Sequence, residues 1–378
     1  MSNHDDFHAP ISYIAYGTQF QQWNDPPPTV TPRERWRALF AGERTDRIPT
    51  DYWATDEVTQ RLFRDLHCRT MEELYSALHC DGIMPVEPPR TKPHFPGDVH
   101  ADQWGLRRTA VDYDGGVYEE FANHPLAAMT TIDELEAYPW PSAEDHDYEA
   151  YRAMLGAITS HRLVRSGNFE PFLLYCALRG LELAMMDLVA DPDFAMAALN
   201  RIFDYHYALA QRTFACGNGR VEVTYVAEDL GGQNALLVSL PLIRKFFLPN
   251  QKKMADLARS HGIHVFYHTD GAVRDVIPDL LTVTGIEVLN PIQWRCPGME
   301  REELVRAFGD RVIFHGAMDN QQTLPFGTVE DVRREVLENR EIFRHSRWVC
   351  APCHNLQPVT STEKIVTMYE TMYQHGIS

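Results

Sequence analysis

The stretch Gly262-Ile263-His264-Val265-Phe266-Tyr267-His268-Thr269-Asp270-Gly271 decides how the rest of the chain is read. Val265 to Tyr267 is a short β-branched and aromatic run, the pattern of a buried strand. It stops abruptly at His268, Asp270 and Gly271, and a helical pattern from Arg274 to Leu281 follows. Side chains two apart on an extended chain point the same way. Two groups able to bind a metal or move a proton therefore share one face at a strand's carboxyl end. Alone, the pair also suits an ordinary strand-to-helix cap. Its weight comes from recurrence.

Working outward, strand-like segments fall at Ile48 to Trp53, Gly82 to Glu87, Leu163 to Glu170 and Val221 to Val226 before it, and at Ile286 to Leu289, Val312 to Phe314 and Trp348 to Ala351 after it. Helical patterns alternate with them: Pro32 to Gly42, Asp56 to Leu66, Thr70 to His79, Thr131 to Tyr138, Ala143 to Thr159, Phe172 to Val189, Pro192 to Cys216, Pro241 to His261, Arg301 to Phe308, Val329 to Phe343 and Thr362 to Tyr373. Strand and helix alternate eight times, which predicts an α/β fold and a single (β/α)8 TIM barrel over residues 31–378 rather than a doubly wound sheet. No glycine-rich phosphate loop follows the first strand, which weakens a dinucleotide-binding reading. Residues 1–30 lack periodicity and read as an N-terminal arm, one that leaves a homodimer open. Around 98–125, Trp104, Thr109, Val111 and Tyr113, the Asp114-Gly115-Gly116 turn, Val117 and Tyr118 predict an inserted β-hairpin of the kind that narrows a site.

Composition sets the bounds. The 378 residues are 44% hydrophobic, enough for a full core, and no apolar run approaches the roughly 18 residues of a membrane span. The polar, acidic opening Met1-Ser2-Asn3-His4-Asp5-Asp6 resembles no export signal, so a cytoplasmic location is expected. A net charge of −18 argues against nucleic acid or anionic membrane as partners. Seven scattered cysteines form no disulfide framework, and only Cys350-Ala351-Pro352-Cys353-His354 has a spacing worth weighing for metal chemistry.

In a barrel, residues just past each strand face the site. Those positions hold Trp53, Glu87, Asn168 and Glu170, Glu228 and Asp229, His268 and Asp270, Asn290 and Gln293, His315 and Asp319, and Cys353 and His354. Such a concentration of titratable and hydrogen-bonding groups predicts an enzyme acting on a small molecule. His268 with His354 or Cys353, plus Glu228 or Asp270, offers the nitrogen, sulfur and oxygen donors that suit zinc, whereas the same groups also suit an organic substrate with no metal. Asp229, His315 and Asp319 are candidates for proton handling or substrate positioning. Trp53, Glu87, Asn168, Asn290 and Gln293 are candidates for substrate binding. Tyr175 is a further one, with Arg179 a helical turn on, although an ordinary helix surface explains both. Cys350 reads as a strand residue, and His206, His264 and His345 as structural.

The chain resembles the uroporphyrinogen decarboxylase superfamily over about residues 31–376, and within it the branch of zinc-dependent methylcobalamin:thiol methyltransferases. The resemblance rests on Gly42-Glu43-Arg44-Thr45-Asp46-Arg47-Ile48-Pro49 and on Glu228-Asp229-Leu230-Gly231-Gly232-Gln233. It rests further on the stretch from His268 through Leu289-Asn290-Pro291-Ile292-Gln293, and on His315-Gly316 with Asp319. It implies a (β/α)8 barrel, a divalent metal and a corrinoid protein as partner, with methylcobalamin as co-substrate. The branch is expected to hold zinc through His-x-Cys after the fifth strand and cysteine after the eighth. Here the first motif is His268-Thr269-Asp270, and the second becomes Pro352-Cys353-His354-Asn355, whose register gives His354 the ligand position. These departures make the donor set harder and richer in oxygen and nitrogen. The alternative implied is a decarboxylase or lyase acting on a smaller organic acid or a tetrapyrrole. The porphyrinogen decarboxylases are expected to use an arginine-rich loop after the first strand, where this chain has Tyr52-Trp53-Ala54-Thr55-Asp56-Glu57. That acidic loop suits a polyanion poorly.

Overall fold

The computed structural model describes residues 12–16, 19–23, 30–113, 116–159 and 161–376. The rest of the expected arm, and Asp114-Gly115 of the expected hairpin turn, lie outside the described residues. Within the arm, Ser12–Tyr16 and Gln19–Trp23 pair as antiparallel strands, a pairing its weak periodicity does not announce. The chain divides into two compact units, each assembled from separated stretches.

One unit comprises Met84–Thr159 and Leu163–Glu303. Its core is a parallel sheet in which Met84–Pro85, Val164–Phe169, Val223–Ala227, His264–His268 and Val288–Asn290 are neighbours in sequence order. Val223–Ala227 is buried at every position, as parallel strands covered on both faces are. The expected helix from Phe172 to Val189 is two, Pro171–Arg179 and Leu181–Ala190, because Gly180 between them takes φ +89°. Pro192–Gly217 starts where the Asp191 carboxylate caps the amide of Phe194. The expected helix Pro241 to His261 also divides, at Phe247. The segment Leu248–Ser260 begins anew with Pro249 in its first turn, where a missing N–H costs least. The antiparallel pair Arg108–Tyr113 and Gly116–Phe121 lies where the hairpin was expected.

The other unit comprises Met1–Ile83, Ser160–Arg162 and Leu304–Ser378. Ile313–Met318 and Trp348–Pro352 pair in parallel. The expected strand Ile48 to Trp53 is reduced to isolated parallel bridges, Thr50 with Cys350 and Ala54 with Leu356. Pairing of the first strand segment with the last is the neighbour relation of a ring of strands, which an open doubly wound sheet lacks. Pro32–Ala41 is set by a capping box between Thr31 and Glu34 and ends at left-handed Gly42. Asp46 and Arg47 of the segment that follows are structural. Buried Arg35 binds both carboxylate oxygens of Asp46 at 2.7 Å, while Arg35 and Arg47 both bind the wholly buried Asp81. Among the described residues, no helix is long and apolar enough to cross a membrane.

Candidate active site

The strand His264–His268 delivers His268 to the carboxyl edge of the sheet, largely buried at 8% exposure. Its Nδ1 lies 2.6 Å from Oδ1 of Asn290, the residue beside it on the neighbouring strand. An amide oxygen only accepts, so Nδ1 carries the proton of that hydrogen bond. The Nε2 of His268 is 3.7 Å from Oδ1 of Asp229. The Asp229 oxygen is buried and makes no hydrogen bond to another described residue.

Glycines bring the carboxylates together. A Cβ on Gly271 would lie 2.5 Å from the carbonyl oxygen of Gly232, and one on Gly231 would strike the carbonyl oxygen of Asp270. The loops carrying Asp229 and Asp270 therefore touch backbone to backbone. They are stitched by the Ala272 amide to the Gly232 carbonyl at 2.8 Å and by the Leu230 amide to Thr269 Oγ1 at 3.1 Å. The amide of Gly271 also donates to Oε1 of Gln293 at 2.8 Å. Glu170 completes the group. Burial raises its pKa, and Asp229 and Asp270 raise it further, against the opposing pull of His268 and Arg165. Three acids around one imidazole form an electronegative centre that suits a cation.

Several expected site residues have hydrogen-bond partners within the protein. Glu228, expected as a metal ligand, is wholly buried. Its two oxygens accept the amides of Phe172 and Leu173 at 2.8 and 3.0 Å, at the start of Pro171–Arg179. Burial holds its pKa well above the ordinary carboxylate value despite those two amides. Tyr175, expected to touch substrate, is wholly buried and donates to Asp187 at 2.5 Å beside the Arg179–Asp187 ion pair. Asn290 and Gln293, also expected on substrate, orient His268 and brace the Gly271 turn. Asp319, expected in catalysis, accepts the amides of Gln321 and Thr323 at 2.9 and 3.0 Å and so folds its own turn.

Glu87 and Asn168 line a cavity of about 360 Å³. Glu87 is open to that cavity yet closely surrounded. Burial raises its pKa against the Gly167 amide and Arg165.

In the other unit, His315 is wholly buried, with Nε2 3.1 Å from Oδ2 of Asp51. Trp53 Nε1 donates to the same oxygen at 3.1 Å. Asp51 was missed by sequence reasoning, although strand alternation puts it on the face of Trp53 two residues on. Cys353 is buried directly after Trp348–Pro352, and its amide donates to the carbonyl of Met318 at 2.8 Å. His354 follows, half-buried.

Fold and site together define an α/β protein of the barrel type, with ionisable groups gathered at strand carboxyl ends. The chain belongs to the uroporphyrinogen decarboxylase (URO-D) family, whose model matches residues 109–375, and members of that family are enzymes. A methyltransferase from Methanosarcina mazei shares the fold with a TM-score of 0.63 at 18% identity, covering 91% of this chain and 99% of that one. The B12-independent methionine synthase from Shewanella sp. W3-18-1 aligns at a TM-score of 0.43 and 12% identity, over 86% of this chain and 96% of that one. The IOLI protein with a binding zinc atom aligns at 0.36 and 15%, over 65% and 85%. Neither of these last two likenesses bears on fold or function. No curated protein matches.

Proposed function

We propose that the protein is a metal-assisted methyltransferase of the URO-D family, moving a methyl group between a separate corrinoid protein, carrying methylcobalamin, and a small acceptor. The fold shared with a methyltransferase supports this reading. The observation that carries it is the gathering of His268 and Asp270 ligand atoms beside the Asp229 carboxylate, with Nδ1 of His268 bonded to Asn290. Ligand atoms of His268 and Asp270 lie within 4.8 Å of one another, close to the span of two bonds of about 2.0–2.2 Å. The buried Asp229 oxygen with no hydrogen bond to another described residue fits a cation nearby.

His268 and Asp270 would hold a divalent metal, zinc foremost by this donor set, with Asp229 beside His268. Once bound, the ion supplies Lewis acidity that lowers the proton affinity of an acceptor such as a thiol. Asn290 keeps the imidazole in one orientation. The contact between Gly231-Gly232 and Gly271 fixes the separation of the acids. Glu170, with its raised proton affinity, accepts or returns the acceptor's proton.

Metal analysis of purified protein tests this. It should find about one equivalent, lost in His268→Ala, and methylcobalamin demethylation by a small thiol should fall with it. Full activity in metal-free protein would sink the proposal. The raised pKa of Glu170 also favours a second reading, a decarboxylase delivering a proton to a small acid after loss of carbon dioxide. Carbon dioxide released from candidate acids without a corrinoid would select that reading.

A further inference from the structure

The cavity lined by Glu87 and Asn168 contains a cation with an unusual surrounding. Arg165 stands second on Val164–Phe169, half-buried, with its guanidinium carbon 4.1 Å from the centre of the Tyr225 ring. Among the described residues its guanidinium donates no hydrogen bond. Other buried arginines are filled: Arg162 donates to Glu72 and to the carbonyl of Cys80, and Arg179 to Asp187 and the carbonyls of Leu126 and Met129. Arg90, the other cation on the cavity wall, donates to Tyr205 and to the carbonyl of Lys92.

The strand is shaped to present this side chain. Between Arg165 and Asn168 the pairing with Val223–Ala227 shifts register. Gly167 takes φ +92° there, where a Cβ would meet Thr224 Oγ1 at 2.7 Å. A bulge of this kind re-aims neighbouring side chains. Glu87, the acid on the same wall, is occupied by the Gly167 amide at 2.8 Å and by Ser166. Phe169, Tyr225 and Leu209 supply apolar wall. A guanidinium stacked on one ring, with its donor fork unfilled, is arranged for a planar two-oxygen acceptor. In a chain of net charge −18, such a fork is also what lets an anion enter.

We infer that Arg165 binds the carboxylate of a small organic acid whose apolar body lies against Phe169 and Tyr225, and that this acid is the substrate of the metal-containing site. The inference deepens the proposed function and rests on it for the word substrate. The anion site itself stands on the cavity alone.

Titration calorimetry on metal-stripped full-length protein separates the two ideas, because it reads binding without metal or turnover. Benzoate, benzenesulfonate and neutral benzamide are the probes. Benzoate should bind at least tenfold more tightly than benzamide. Arg165→Gln should abolish the difference, and Arg165→Lys should keep part of it. In wild-type protein, where no variant has to fold, benzoate should shield Arg165 from phenylglyoxal, as read by peptide mass spectrometry. Equal binding of benzoate and benzamide, no binding of either, preference for benzenesulfonate, or undiminished labelling of Arg165 overturns the inference. Metal content is untouched by any of these results and continues to test the parent reading.

Discussion

Oδ1 of Asn290 lies 2.6 Å from Nδ1 of His268, across adjacent parallel strands. The bond sets the orientation of the imidazole beside Asp229. Asn290→Ala should weaken metal affinity about 10- to 100-fold by letting the ring turn. Competition with a coloured chelator measures this. Unchanged affinity would show that the ring is held by something else.

Gly271 matters for its lack of a side chain. Its φ of +84° and the Gly232 carbonyl 2.5 Å from any added Cβ leave no room for methyl. Gly271→Ala should cost more than about 1 kcal/mol of stability through strain and should loosen the Asp229–Asp270 spacing. A lowered Tm together with weaker metal binding is expected. Lowered Tm with intact metal binding would show that the loops can part without disturbing the ligands.

Tyr175 gives a prediction that separates packing from recognition. Its hydroxyl serves the Asp187 carboxylate, which also holds Arg179. Tyr175→Phe should cost about 1.5–3 kcal/mol, the range for a hydrogen bond to a charged group, with no change in ligand affinity. Asp187→Ala should cost about 3–5 kcal/mol by stranding a buried guanidinium. Denaturant melts measure both, and a raised KM in Tyr175→Phe would restore the substrate role.

His206 makes stability depend on pH. Burial lowers its pKa to about 4, although one edge still meets the cavity, and it stacks on Trp104. An unfolded histidine protonates near 6.5, so the unfolded chain binds the extra proton first. Stability from this group is therefore present above about pH 6.5 and lost as pH falls toward 4. His206→Phe should flatten that loss, with a difference of about 1–2 kcal/mol at pH 5 after allowing for partial exposure. Parallel acid-side melts of the two proteins would show it, and parallel slopes would contradict it.

Much of the fold was legible because the two-residue and 3.6-residue periods of burial are written locally. The helix Pro32–Ala41 is an example, with Thr31, Pro32 and Gly42 marking its ends in the sequence. Gly180 and Pro249 were equally visible, yet the expected helices ran through both. Their cost was outweighed in the reading by continuous apolar pattern. The site was legible as a set of positions, and less so as roles. Glu228 and Asp229 are adjacent acids of one type, but one caps a helix and the other faces His268.

What the sequence determined by itself was the alternation of strand and helix, the concentration of acids and imidazoles at strand ends, and the glycines that allow two loops to meet. These depend on residue type and spacing, which are properties of the line of the chain. What tertiary structure decided was which oxygen each donor uses. Oδ1 of Asn290 meets the His268 imidazole, the Tyr175 hydroxyl meets Asp187, and Arg165 lies over the Tyr225 ring on the cavity wall. Hydrogen-bond partners are chosen by distances of a few ångströms between residues far apart in sequence, and no local pattern encodes them.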